Sequence, residues 1–259
     1  MRKWLIIIVI ILILIFLGVI FYLGLKQTRV ELPAQVVGQP TPEPPLIPVV
    51  TNLKEATLDE KKTYQIELAQ KAVELPPTLN LLDVAARPYK KDQLLIIEKP
   101  SGFLETNAWV YHQKNGVSIP LFQGIIGLSL NWSTDGEQML KFQIEPETRR
   151  PNLTLINQSD NLELELPWVT FPEKCLIEKE ALYCAVPLEL PANLRWPDDY
   201  WKRRFYPQDR LVKLVIKNSS IETLDDGLSQ LIDAVDLKLI KNELYFTNRR
   251  NGKVYKINI

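Results

Sequence analysis

The chain has 259 residues, with 31 basic and 31 acidic side chains, one histidine and two cysteines. Such a balance excludes the strongly basic surface that nucleic-acid binding needs to displace counterions, so no nucleic acid is expected as a partner. A single histidine, His112, cannot supply an imidazole-rich metal site, and any Ser-His-Asp or Cys-His device would depend on it alone.

The first predicted element is an uncharged run, Trp4 to Leu25, behind Arg2 and Lys3. As a helix it reaches roughly 33 Å, enough for a bilayer core of about 30 Å. A cleavable signal peptide is the alternative, but its apolar region is shorter and ends at a small-residue site, which KQTRVELPAQ does not offer. Residues 4–25 are therefore expected to be a transmembrane signal anchor. Residues 1–3 stay in the cytoplasm and the remainder lies outside it, a single-pass orientation that the flanking basic residues favour weakly. Twenty-nine basic and 31 acidic residues follow the span, a net charge of −2.

Residues 26–48 form a linker in which PAQVVGQPTPEPPLIP is rich in proline. Proline fixes φ and removes backbone donors, so this stretch is expected to be an extended spacer of up to about 50 Å.

From residue 49 to 259 the chain reads as strands, and no long segment carries a 3.6-residue period. Four places share a strand, a polar turn and a second apolar strand, the second strands beginning at Leu94, Met139, Leu182 and Leu244. The first two intervals are 45 and 43 residues, and the third is lengthened by an insertion, Pro187 to Asp209. A third strand follows each anchor, and a fourth follows all but the last. Asn115-Gly116 and Asp135-Gly136 mark hairpin turns, where positive φ is required. Four strands repeating at this spacing predict an all-β fold, a β-propeller of four to five blades, five being preferred with one degenerate. A β-sandwich is the competing architecture but does not require the spacing. The last unit lacks its fourth strand, so the N-terminal part of the domain is expected to supply it, with Thr63 to Leu75 as the donor hairpin.

WSTDGEQMLKFQ, Trp132 to Gln143, resembles the Trp-Ser-Pro-Asp-Gly repeat of TolB-like and WD-repeat-like propellers, with Thr134 in place of the proline. EKCLIEKEALYCAVP with LPANLRWPDDYW, and KNELYFTNRRNGKVYKINI, are similar to later and closing blades of membrane-anchored bacterial propellers. The resemblance implies an envelope scaffold or interaction module without catalysis, and says little else about function.

The hairpin CLIEKEALYC, centred between Lys179 and Glu180, places Cys175 opposite Cys184. Outside the cytoplasm such a pair is expected to form a disulfide. No metal site and no cofactor are expected. His112 lies on a predicted strand, and no nucleophile elbow, phosphate loop or His-Glu-x-x-His motif occurs. Asp83, Asp135, Asp198, Asp199 and Asp236 are the candidate carboxylates for a hydrolase, the least favoured alternative.

The insertion combines Trp196, Tyr200, Trp201, Phe205 and Tyr206 with Arg203 and Arg204, a mixture common at interface centres. These seven residues are the expected contact with an envelope protein. A glycan or cell-wall polymer stacking on the same aromatics is the alternative ligand. Burial of the aromatics against the domain itself would leave only the charges exposed.

Overall fold

A computed structural model describes residues 53–69, 84–158, 162–178 and 180–259. The expected anchor at 4–25, the linker at 26–48, Asp83 and the end of the 63–75 segment lie outside the described residues. No helix among the described residues is long and apolar enough to cross a membrane.

The described residues form four antiparallel sheets of four strands. Blade 1 holds β2 (Val84–Pro88), β3 (Gln93–Glu98), β4 (Glu105–His112) and β5 (Val117–Ile126). Blade 2 holds β6 (Ser129–Trp132), β7 (Gln138–Ile144), β8 (Pro151–Asn157) and β9 (Leu162–Glu165). Blade 3 holds β10 (Cys175–Glu178), β11 (Ala181–Pro187), β12 (Asp209–Val215) and β13 (Ser220–Asp225). In blade 4, β14 (Ala234–Ile240), β15 (Glu243–Asn248) and β16 (Lys253–Asn258) are completed by β1 (Lys54–Glu55), which pairs with β16.

Each anchor is the second residue of its blade's second strand, and these strands are buried on both faces. In β3, Leu95 and Ile97 pack with Leu130 and Met139 of blade 2, while Leu94 and Ile96 form a separate buried cluster with Tyr111. A strand walled on both sides must be apolar at consecutive positions, which is why LLII shows no alternation. Phe142, Leu153 and Leu155 meet Ile177, Leu182 and Val212 between blades 2 and 3. Ala185 and Leu211 meet Leu237, Leu244 and Phe246 between blades 3 and 4. The turns follow the sequence, with Gly116 and Gly136 at φ of 70° and 74°.

The N-terminal part of the domain differs from expectation. The fourth strand of the last blade does come from it, but from Lys54–Glu55, while 63–69, the described part of the expected donor, is helical. Leu58–Ala69 is a helix, α1, so the described residues contain four blades and no degraded fifth. Its apolar residues follow no clear stripe, which hid it from a search by period. The local signal was Thr57-Leu58-Asp59-Glu60: Thr57 is the N-cap, and its backbone N–H donates to Glu60 Oε2 at 2.8 Å. Tyr64 docks the helix on blade 4. It stacks on Tyr245 and donates its hydroxyl proton to the carbonyl of Asp236 at 2.7 Å.

Candidate functional site

Strand direction gives the molecule two unlike ends. At one end the strands are joined by turns of two to five residues, such as 89–92 and 241–242. At the other lie the longer connections 99–104, 145–150, 166–174, 188–208 and 226–233.

The 188–208 connection is the insertion noted in the sequence, and its aromatics turn inward. Trp196 and Tyr200 are buried, the latter to 1 % exposure, around Phe171, whose ring centre lies 4.7 and 4.6 Å from theirs. Trp201, Phe205 and Tyr206 are half-buried, whereas Arg203 and Arg204 are exposed. The expected contact set is thus divided. The faces of Trp196 and Tyr200 are spent on the core, including any sugar-stacking role, and only the other five reach solvent.

Beneath the insertion is a buried charge cluster that sequence reading missed. A 3-10 turn, Pro172–Lys174, carries Lys174 into the core, where its Nζ lies 2.7 Å from Asp209 Oδ2 and 2.9 Å from Asp233 Oδ1. All three side chains are at most 1 % exposed. Tyr200 donates its hydroxyl proton to Asp233 Oδ1 at 3.1 Å, and Arg249 Nη1 stands 3.7 Å from Asp233 Oδ2. Arg249 also lies over the Tyr200 ring at 4.2 Å and donates to the Tyr200 carbonyl at 3.0 Å. Burial pushes Asp209 up to about 6, against the pull of Lys174. The cluster fastens the insertion to blades 3 and 4. The lysine in the apolar stretch TFPEKCLI was the available signal.

A further contact, at Gly102, holds the insertion to blade 1. The Gly102 N–H donates to Asp198 Oδ2 at 2.8 Å, and a Cβ at Gly102 would stand 2.1 Å from the Trp196 carbonyl oxygen. Only glycine permits that approach. Asp199 accepts the Arg195 N–H at 3.0 Å, which holds its carboxyl below the usual range.

Along the axis, Trp201 Nε1 donates to Glu173 Oε1 at 2.9 Å. Burial raises the Glu173 carboxyl, opposed by this bond and by Arg87, Lys174 and Arg249. Glu173 and Arg87 border both a cavity of about 310 Å³ on the long-loop side and one of about 580 Å³ on the short-turn side. Neither residue was singled out in the sequence. Of the carboxylates that were, Asp135 serves its turn, accepting from Ser133 Oγ at 2.6 Å and the Glu137 N–H at 2.9 Å. Asp198 ties the insertion to Gly102, Asp199 bonds to Arg195 and Arg204 within the insertion, and Asp236 borders the larger axial cavity. His112 lies at the end of β4, 3.5 Å from Gln93 Nε2. Cys175 and Cys184 are directly paired across β10 and β11 and are joined by a disulfide. No cluster of metal-ligating side chains occurs among the described residues.

The outer surface of the long-loop end is apolar in places. Phe103, Leu104, Leu228 and Leu231 are 57–70 % exposed there, with Leu190 beside them. A groove of about 510 Å³ runs between the insertion and the 226–233 loop, lined by Leu188, Leu190, Phe205, Tyr206, Leu228 and Arg250 among others. Phe103, Leu104, Leu228 and Leu231 carry no motif, and only packing reveals that they share one end.

Four four-stranded sheets around a common axis define an all-β, propeller-like protein. No family model matches the chain, and no curated protein matches it. Among solved structures it is similar to the tricorn protease, at 7% identity and a TM-score of 0.43, over 65% of this chain and 15% of that one. It is similar to the β-propeller domain of the Trilobed protease from Pyrococcus furiosus, at 9% identity and a TM-score of 0.40, over 64% and 65%. An oligogalacturonate lyase in complex with manganese gives 10% identity and a TM-score of 0.43, over 66% and 46%. The chain thus spans less than two thirds of each, and at these identities the likeness concerns the fold alone. The similar structures include peptidases and lyases, which runs against the sequence-based expectation of a protein without catalysis and assigns no activity to this chain.

Proposed function

We propose that this chain is a membrane-tethered propeller of the TolB-like kind that binds an envelope protein outside the cytoplasm through its long-loop end. The uncharged run at 4–25 supports the tether, and the proline-rich segment within 26–48 supports a spacer between bilayer and ring. The observation that carries the binding role is the gathering of Phe103, Leu104, Leu190, Leu228 and Leu231, all exposed, at one end. Leu190 and Leu228 line the groove and Phe103 borders a smaller cavity beside the insertion, and several exposed apolar side chains at one end mark an interaction surface where single ones do not. Trp201, Arg203, Arg204, Phe205 and Tyr206 border or flank that surface, so the insertion contributes its rim.

The test is photocrosslinking in the native host. A photoreactive residue at Leu228 is expected to trap one defined envelope protein, and the same probe at exposed Ile221, near the short-turn end, is expected to trap none. Equal capture from both positions, or capture of envelope polysaccharide alone from Leu228, removes the reading.

A further inference from the structure

The axial cavity at the short-turn end suggests a second binding site. It is bordered by four consecutive residues of β10, Cys175 to Glu178, and five consecutive residues of β14, Asp236 to Ile240. Successive side chains of a strand point to opposite faces. Here Cys175 and Ile177 pack towards blade 2, and Leu176 packs against the cluster shared with blade 4. Residues of both parities can border one cavity only through the edge of the strand. Both strands are indeed terminal in their sheets, β10 pairing only with β11 and β14 only with β15. They run in the same direction along the axis, so two strand edges face one space of about 580 Å³.

A strand edge carries backbone donors and acceptors in register, which an extended peptide can pair with and most small molecules cannot. The Cys175 N–H already donates to the Pro172 carbonyl, the Cys175 carbonyl accepts from Asn131 Nδ2 at 2.8 Å and the Asp236 carbonyl accepts from Tyr64. The pairing positions therefore lie further along, at Ile177 on β10 and Leu239 on β14. The four residues of β10 span about 13 Å. At the inner end lies Arg87, and Lys238 of β14 borders the same cavity. Arg87 also faces the carboxyl of Glu173, which accepts the Trp201 N–H through Oε1, so a ligand carboxylate would share the guanidinium with Glu173. A guanidinium in that position suits a planar carboxylate, which it can bind through two parallel hydrogen bonds. Trp132 spends its indole N–H on the Pro88 carbonyl at 2.9 Å and leaves its ring to border the cavity. Glu67, Glu178 and Asp236 also border the cavity and disfavour acidic side chains in a ligand.

We infer that this cavity binds the C-terminal end of an extended peptide, about four residues long, paired to the β10 or β14 edge with its carboxylate on Arg87. The site is independent of the long-loop end and lies on the opposite side of the ring.

The test uses the full-length, detergent-solubilised chain, immobilised and exposed to a mixture of N-acetylated tetrapeptides of neutral and basic residues with free carboxylates. Mass spectrometry of the retained fraction reads binding. Retention is expected to fall about tenfold when the carboxylates are amidated, and by a similar factor in Arg87→Gln. Methylating alternate backbone nitrogens is expected to abolish it. Hydrogen exchange at 175–178 and 236–240 is expected to slow when peptide is bound. No retention above an empty support overturns the inference. So does equal retention of amidated or N-methylated peptides, or by Arg87→Gln with an unchanged melting temperature.

Discussion

Replacing Lys174 with methionine tests whether the cluster beneath the insertion holds the long-loop end together. The side chain keeps its bulk and loses its charge, and Asp209 and Asp233, both fully buried, lose their contacts at 2.7 and 2.9 Å. Asp233 keeps the Tyr200 hydroxyl and Arg249, whereas Asp209 keeps the Ala234 N–H at 2.8 Å. Removing one partner of a buried ion pair costs about 3–5 kcal/mol, because the remaining charge is stranded away from water. Asp209 takes most of that penalty here. Urea unfolding of the full-length chain in detergent, followed by tryptophan fluorescence at pH 7.5, should give a loss of that size with an unchanged slope against urea. The deficit should narrow at pH 5, where protonation neutralises the stranded carboxylate, and should shrink in the double variant with Asp209→Asn. A loss below about 1 kcal/mol at pH 7.5 would refute the reasoning, since it would mean that the charges are solvated or the cluster relaxes freely.

In the unchanged protein Asp209 titrates at about 6, above the ordinary carboxylate value, so the folded state holds its proton more tightly than the unfolded chain. Stability from this group therefore rises as pH falls from above 6 towards 4, by at most about 3 kcal/mol, and Asp209→Asn should flatten that rise. Below about pH 4.5 the sign reverses through Glu55 and Glu60, which Lys253, Lys61 and Lys256 hold down to about 2; a stability-pH profile reads both limbs. Tyr64→Phe should cost about 1–2 kcal/mol in the same assay, since a hydroxyl bonded to the Asp236 carbonyl and Thr247 is lost from a side chain 1 % exposed. Gly102→Ala places a Cβ against the Trp196 carbonyl, and limited proteolysis should show cleavage within 188–208 while the blade strands stay protected. Replacing Cys175 and Cys184 together with serine opens a short loop, and thermal unfolding should show a loss of about 2–3 kcal/mol relative to the disulfide form.

The repeat was legible because each blade needs the same local ingredients. A second strand walled on both faces must be apolar throughout, and a tight turn must offer a residue at positive φ, so Leu94, Met139, Leu182 and Leu244 mark the period by composition alone. The need for an N-terminal closing strand was legible too, as a missing fourth strand in the last unit. The donor was not. Two residues, Lys54 and Glu55, carry too little pattern to be recognised, and α1 has no apolar stripe, so its only sign was the cap at Thr57 to Glu60. The axial and surface sites lay further out of reach. Arg87 and Lys238 come from separate blades and Glu173 from the connection between two others, and Lys174 meets Asp209 and Asp233 across 35 and 59 residues of chain. Composition showed that aromatics and arginines crowd the insertion. It could not say that Trp196 and Tyr200 would turn to Phe171 while Arg203 and Arg204 stayed in water. Strand period and turn chemistry are local, and so the sequence by itself determined the blades. Which charges are buried, which aromatics are covered and which strand edges face the axis depend on what packs against them, and only the packing of the blades decided that.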